Sequence, residues 1–174
     1  MIRHAESANN EVYRSANVLF RAGTEQFDRE GYENYVSTHR KADPALSTRG
    51  YVQADLLADY LVPHLENQAS SPVRILVSPM RRTLLTIKPT LERLQRMRCA
   101  ANSNNTNPNS GIGDINNDIP LAKVQVIVVA YYFETEGCHL RGQAEEGMTP
   151  IQIRELLRDC VSPDPYHNRN ELQF

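Results

Sequence analysis

The apolar patterns along the chain predict an α/β protein, a three-layer α/β/α arrangement with a mostly parallel, incomplete central sheet. Three observations carry this. "VRILVSP" (73–79) is a short β-branched run closed by Ser-Pro, the pattern of a buried parallel strand. "AKVQVIVVAYYF" (122–133) supplies a second, stronger strand. Helical periods stand before, between and after them, and such alternation belongs to an open sheet covered on both faces.

Taken in order, the elements are as follows. In "MIRHAESANN" the residues Met1 and Ile2 read as the stub of a strand, so that His4 falls just past its end. From Glu25 to Lys41 the chain is polar and aromatic by turns without a sustained period, which predicts a long excursion holding a turn or two of helix. This excursion is expected to form part of the rim above a site, where His39, Arg40 and Lys41 are either an exposed basic turn or contacts for an anionic substrate.

In "DPALSTRGYVQADLLADYLVPHL" the residues Val52, Leu56, Leu57, Tyr60 and Leu61 keep the spacing of one helix face. Ser47 or Thr48 is placed to cap that helix, Pro63 stands near its end, and "NQASSP" is the following loop. A second helix follows the first strand: "MRRTLLTIKPTLERLQRM" repeats Leu84, Ile87, Leu91, Leu94 and Met97 with helical period, and Pro89 should kink it or displace its start.

"CAANSNNTNPNSGIGDINNDIP" is too poor in large apolar groups to offset its ordering entropy, which predicts a flexible insertion at about 101–118. "GMTPIQIRELLRDCV" offers Thr149 as a cap and Pro150 as the first residue of a last helix. The tail "SPDPYHNRNELQF" shows no usable period.

The 174 residues fit one domain, 1–174. A formal net charge of −2 gives no reason to expect a nucleic-acid or membrane partner. No apolar run is long enough to cross a bilayer, and the polar first thirty residues carry no export signal, so a cytoplasmic location is expected. Cys99, Cys138 and Cys160 form no C-x-x-C pair, so neither zinc nor a redox dithiol is expected, and the scatter favours a reducing compartment. Of the arginines crowding the middle of the chain, Arg74, Arg81, Arg93, Arg96 and Arg98 read as solvated helix or strand positions. Arg82 stands apart for the chemistry it offers.

In open α/β sheets the ligand sits beyond the carboxyl ends of the strands. Three places fall there: His4, the stretch from Ser78 to Arg82, and Glu134. A neutral imidazole can take a phosphoryl group as nucleophile. The transition state spreads charge over three oxygens and calls for fixed guanidinium forks, which Arg3 and Arg82 would supply. A carboxylic acid of raised pKa can protonate the leaving oxygen, the part given to Glu134 with Glu136 as runner-up. The arginines do the neutralising, so no metal or other cofactor is required.

These residues resemble a known family. "RHAES" with Asn10 is similar to the R-H-G-E-S-x-x-N opening, the RHG motif, of the histidine phosphatase superfamily, the phosphoglycerate-mutase-like proteins. "DPALSTRGYVQA" resembles that family's D-x-x-L-T-x-x-G-x-x-Q-A segment, and "SPMRRTLLT" its S-x-x-x-R-A-x-x-T segment. "FETEGCHLRG" followed by "GMTPIQI" looks like the E-x-G-G-C stretch of one group within it. The resemblance implies that His4 is the phosphorylated nucleophile, that Arg3, Asn10 and Arg82 hold the phosphate, and that Glu134 is the proton donor. Arg82 rather than Arg81 matches because it stands four residues after Ser78. Ser7 would lie near the site without a chemical role.

The sequence departs from the family pattern in three places. Ala5 replaces the usual Gly. Only Met1 and Ile2 precede the Arg-His pair, where the family has an apolar strand. The family's later histidine, which follows a further strand and completes the phosphate pocket, has no match: His139 sits in "GCHLRG" and His167 in the tail, while His39 and His64 read as surface residues. The expectation is therefore a partial chain. Its function is expected to be that of a metal-independent phosphomonoester phosphatase acting on a small phosphorylated substrate. One alternative is a weak or inactive remnant that binds phosphorylated ligands or a protein partner. Another is a phosphoglycerate-type mutase, which needs a closed pocket for which the sequence shows no lid.

Overall fold

The computed structural model describes residues 2–21, 27–66, 73–104, 124–129, 139–140, 143–144, 147–160 and 172–173. The protein mixes helix with a parallel sheet. Strands β1 (Val73–Val77) and β2 (Val124–Val128) pair in parallel, with Val73 opposite Val124 and Val77 opposite Val128. Helix α4 (Arg81–Asn104) lies between them in the chain, completing a β1–α4–β2 crossover of the kind the sequence predicts. A short β5 (Leu172–Gln173) extends the sheet on the far side of β2, again in parallel. The tail that showed no period thus contributes a strand, held by backbone pairing that side-chain patterning does not report. A two-stranded antiparallel ladder, β3 (His139–Leu140) with β4 (Gln143–Ala144), stands apart from that sheet.

The inward face of the sheet carries Val77, Val124, Val126 and Val128, all buried. Leu84, Ile87, Leu91 and Leu94 of α4 close over it at the predicted helical spacing, and Ile153 and Leu157 from the last helix join them. Met97, which the same period assigns to that face, is 37% exposed. The opposite face of β1 shows Arg74 and Leu76 to solvent, Leu76 at 53%. Helix α4 runs through Pro89 without interruption and continues to Asn104, past the start of the predicted insertion. Residues 105–123 lie outside the described residues.

Helix α3 (Thr48–Glu66) starts where the sequence places it, with Ser47 as its cap: the Ser47 hydroxyl accepts from the Gly50 amide at 3.0 Å. Its buried face is the predicted one only in part: Leu61 packs against the core and Leu57 is half-buried. Gly50, Ala54, Ala58 and Val62 form the seam, whereas Val52, Leu56 and Tyr60 point to solvent. Small residues four apart let α3 lie close along α4, and the large apolar side chains are displaced to the outside.

The structure also corrects the reading of residues 25–41. Ala8–Phe20, which carries no expectation from the sequence, is helix α1, and Arg29–His39 is helix α2, where the sequence predicts an excursion holding a turn or two of helix. Both are built on local bonds. Ser7 and Asn10 make a reciprocal capping box at the start of α1, and Asp28 accepts from the Gly31 amide at 2.9 Å to start α2. The two helices pack on each other through rings: Phe20 lies 6.0 Å from Tyr35, and the Arg21 guanidinium sits 4.4 Å from the centre of Phe27. Helix α2 buries no residue, which is why no apolar period marks it.

Helix α5 (Pro150–Leu156) follows its predicted cap, Thr149, with Pro150 at the first position and Gln152 completing a capping box. A 3-10 turn at Arg158–Cys160 packs Cys160 into the core. Burial pushes the Cys160 thiol up to about 11, more than the nearby Lys88 lowers it. A thiol that is 7% exposed and protonated at pH 8 is inert. Brief alkylation at pH 8 followed by peptide mapping is expected to label exposed Cys99 and spare Cys160 until denaturant is added. Equal labelling of the two in the folded protein would contradict this packing. No described helix is long and apolar enough to cross a membrane.

Candidate functional site

The site is built around an extended stretch, residues 5–7, that docks on the N-terminal parts of α3 and α4. The Ala5 amide donates to Thr86 Oγ1 at 3.0 Å, and that hydroxyl donates in turn to the Arg82 carbonyl at 2.7 Å. Two hydrogen bonds in series therefore connect the neighbour of His4 to residue 82. The Ala5 methyl is buried in a small cluster with Leu46, Ala54 and Leu85, so the side chain that replaces glycine has a packed place.

The next residues lie against α3. Glu6 donates its amide to Gln53 Oε1 at 2.8 Å and accepts at its carbonyl from the Ser47 amide at 2.9 Å. Ser47 also donates its hydroxyl to Glu6 Oε1, while Arg14 pairs with Glu6 Oε2. Ser7 makes an antiparallel bridge with Leu46, and the Ala8 amide donates to the Ala45 carbonyl. The approach is so close that a Cβ at position 50 would stand 2.0 Å from the Glu6 carbonyl oxygen, which only glycine avoids.

His4 is half-buried, with Nδ1 2.7 Å from the Ala5 carbonyl oxygen. A carbonyl can only accept, so Nδ1 carries the proton in that bond and the lone pair of the neutral ring is left on Nε2. Arg3 beside it is exposed. Asn10 occupies the third position of α1, where its Oδ1 accepts from the Ser7 amide at 3.0 Å and the Ser7 hydroxyl at 2.8 Å. The backbone amide of Asn10 donates to Ser7 Oγ in the same cap, while its side-chain Nδ2, the group a phosphate oxygen would accept from, takes no part in it. Ser7, expected near the site without chemistry, is the cap residue of α1.

Arg82 sits on the second residue of α4, just after the loop that leaves β1, and only 4% of it is exposed. Arg81, by contrast, points to solvent, and Arg93 pairs with Asp55 and Asp59 on α3. Asp43 faces Arg82, its Oδ1 lying 3.8 Å from Nη1. Both carboxylate oxygens of Asp43 accept from the Arg81 amide at 3.0 Å. The stretch bearing Asp43 is fixed from the other side by buried Asn9, whose carboxamide donates to the Lys41 carbonyl and accepts from the Lys41 amide. At the loop before α4, the Pro79 carbonyl accepts from the Met148 amide at 3.0 Å, and a Cβ on Gly147 would press on Pro79 at 3.1 Å.

The structure thus brings Ala5, the neighbour of His4, onto α4 through Thr86, and Asn9, the neighbour of Asn10, onto the stretch whose Asp43 meets Arg82. Glu134 and its runner-up Glu136 lie outside the described residues. His39 and His64 are exposed, each with Nδ1 on the carbonyl four residues back and its ring against a tyrosine. His139 is described in backbone only and His167 lies outside the described residues. Sequence reasoning passed over Asp43, Asn9 and Thr86. Thr86 closes the "SPMRRTLLT" segment and Asp43 opens "DPALSTRGYVQA", but neither segment by itself gives them a role, and nothing in the sequence marks Asn9. No protein-family model, curated protein or solved structure matches the chain.

Proposed function

We propose that the protein is a metal-independent phosphomonoesterase of the histidine phosphatase kind, acting on a small phosphorylated substrate in the cytoplasm through a phosphohistidine at His4. The observation that carries this reading is that three of the four family-like segments, far apart in the chain, are one another's contacts. From "DPALSTRGYVQA", Leu46, Ser47, Gly50 and Gln53 meet Glu6 or Ser7, and Asp43 meets Arg82. From "SPMRRTLLT", Thr86 holds Ala5. Chance matches to short motifs have no reason to assemble in this way. In its finer form the fold would be a three-layer α/β/α sheet, with a further layer over the face of β1 that carries Leu76.

In the proposed reaction His4 Nε2 attacks phosphorus while the ester P–O bond breaks, and the departing oxygen takes a proton from Glu134. Water then gives a proton back to the Glu134 carboxylate as its oxygen attacks phosphorus, the N–P bond breaks, and neutral His4 and inorganic phosphate are released. Arg82, buried and so little screened, and Arg3 neutralise the oxygens. A second reading, binding of phosphorylated ligands with little turnover, is favoured by His39 and His64, which are exposed and each held on its own helix through Nδ1 and a neighbouring tyrosine ring. The test uses a chromogenic phosphomonoester in the presence of a chelator. Turnover that persists with the chelator and falls at least about a thousandfold in His4→Ala is expected. Equal turnover by the two proteins overturns the phosphatase reading; binding of inorganic phosphate without turnover by either favours the second.

A further inference from the structure

We infer that Asp43 is a positioning residue of this site, holding the Arg82 fork in the orientation that a phosphoryl group requires. The inference rests on the phosphohistidine reading for what Arg82 grips, and on geometry alone for what holds Arg82.

An arginine side chain carries about 2 kcal/mol of rotamer entropy. Reaching a phosphoryl group from α4 in one orientation therefore needs a second fixed contact along the guanidinium. Asp43 is anchored for that purpose at both ends. Its two oxygens sit on the amide of Arg81, the residue immediately before Arg82, and its backbone lies between the Asn9 clamp on Lys41 and the fully buried Pro44. The 3.8 Å approach of Oδ1 to Nη1 is an ion pair across a nearly closed space, since Arg82 is 4% exposed and Asp43 mostly covered.

Capping α4 does not by itself account for an aspartate here. Asn and Ser cap helices as well as Asp does. Burial raises the Asp43 carboxyl above its ordinary 3.8, and this outweighs the Arg81 amide and the charges of Arg82 and Arg81, the groups that lower it. A carboxyl raised on folding binds more protons in the native chain than in the unfolded one. Stability therefore falls as pH climbs from the ordinary value through the folded one. At neutral pH the charge of Asp43 costs the fold something that a neutral cap would not. What the charge does add is a fixed partner for Arg82.

The test compares the wild type with Asp43→Asn by nitrogen-15 NMR of arginine side chains, the Arg82 Nε–H signal being assigned by its loss in Arg82→Lys. The wild type is expected to show that signal resolved from those of exposed arginines. In Asp43→Asn it should collapse toward them. With the chromogenic phosphomonoester, kcat should fall about tenfold and KM should stay within about twofold, because Coulomb attraction survives while alignment in the transition state is lost. An Arg82 signal already averaged in the wild type, or unmoved by Asp43→Asn, overturns the inference, as does a moved signal with unchanged kcat. If the wild type neither hydrolyses the ester nor binds inorganic phosphate, the phosphohistidine reading fails, and the Arg82 signal still decides whether Asp43 holds the fork. Asp43→Ser, a second capping residue, is read in the same way if Asp43→Asn does not fold.

Discussion

Gly50→Ala is expected to destabilise the protein by about 3 kcal/mol, a fall in melting temperature of about 10 °C for a chain of this size. The sign makes this informative. Position 50 lies in the first turn of α3, and in an open helix alanine in place of glycine stabilises by up to about 1 kcal/mol. Here the new methyl would stand 2.0 Å from the Glu6 carbonyl oxygen and 3.1 Å from Leu46 Cβ. Neither neighbour can yield cheaply. Glu6 is held at its amide by Gln53, at its carbonyl by the Ser47 amide and at its carboxylate by Ser47 and Arg14. Relief must come from pushing residues 5–7 off α3, which also moves His4, so activity is expected to fall along with stability. Thermal melting by circular dichroism measures the first effect. A melting temperature equal to or above that of the wild type would show that the stretch bearing His4 does not dock on α3.

The second large effect is expected for Arg82→Met, in activity more than in stability. Methionine keeps much of the apolar stem and removes the guanidinium, leaving Asp43 half-buried without its cation. A loss of about 1–3 kcal/mol of stability is expected from that unpaired carboxylate. Loss of the fork is expected to lower kcat/KM for a phosphomonoester by about a hundredfold or more, since a fixed cation on the transferring group acts mainly in the transition state. Arg81→Met serves as the control because Arg81 is exposed, and its backbone amide, the group that Asp43 holds, survives the change. The pair of variants separates the two adjacent arginines by steady-state kinetics. Comparable losses in both would contradict the assignment of Arg82.

How much of this was legible in the sequence depends on where each residue finds its partner. Thr149 and Pro150 announce α5 because cap and first residue act within one turn, and Ser47 announces α3 for the same reason. The strands at Val73–Val77 and Val124–Val128 are legible because burial of one face selects β-branched residues. The face of α3 was only partly legible because its seam is glycine and alanine, which hydrophobic periodicity does not register, while Val52, Leu56 and Tyr60 supply a stronger period on the solvent side. Helix α2 buries no residue, so it presents no apolar stripe. At the site, the preference for Arg82 over Arg81 comes from the family resemblance, and the structure buries Arg82 while exposing Arg81. Asp43 was not legible as a partner because the amide it caps lies 38 residues on, and Thr86 reaches an amide 81 residues away. Contacts of that kind exist only once the chain has folded.

The phosphohistidine itself is the most direct test. Rapid quenching of wild-type protein with an excess of a phosphomonoester into alkali, which preserves phosphohistidine, followed by digestion and mass mapping, is expected to find one phosphoryl group on the peptide bearing His4. The same group should be absent from His4→Asn and should be lost from the wild-type peptide on brief treatment with acid. A phosphoryl group on another residue, or turnover of the ester with none trapped at His4 under any quench time, would contradict the account.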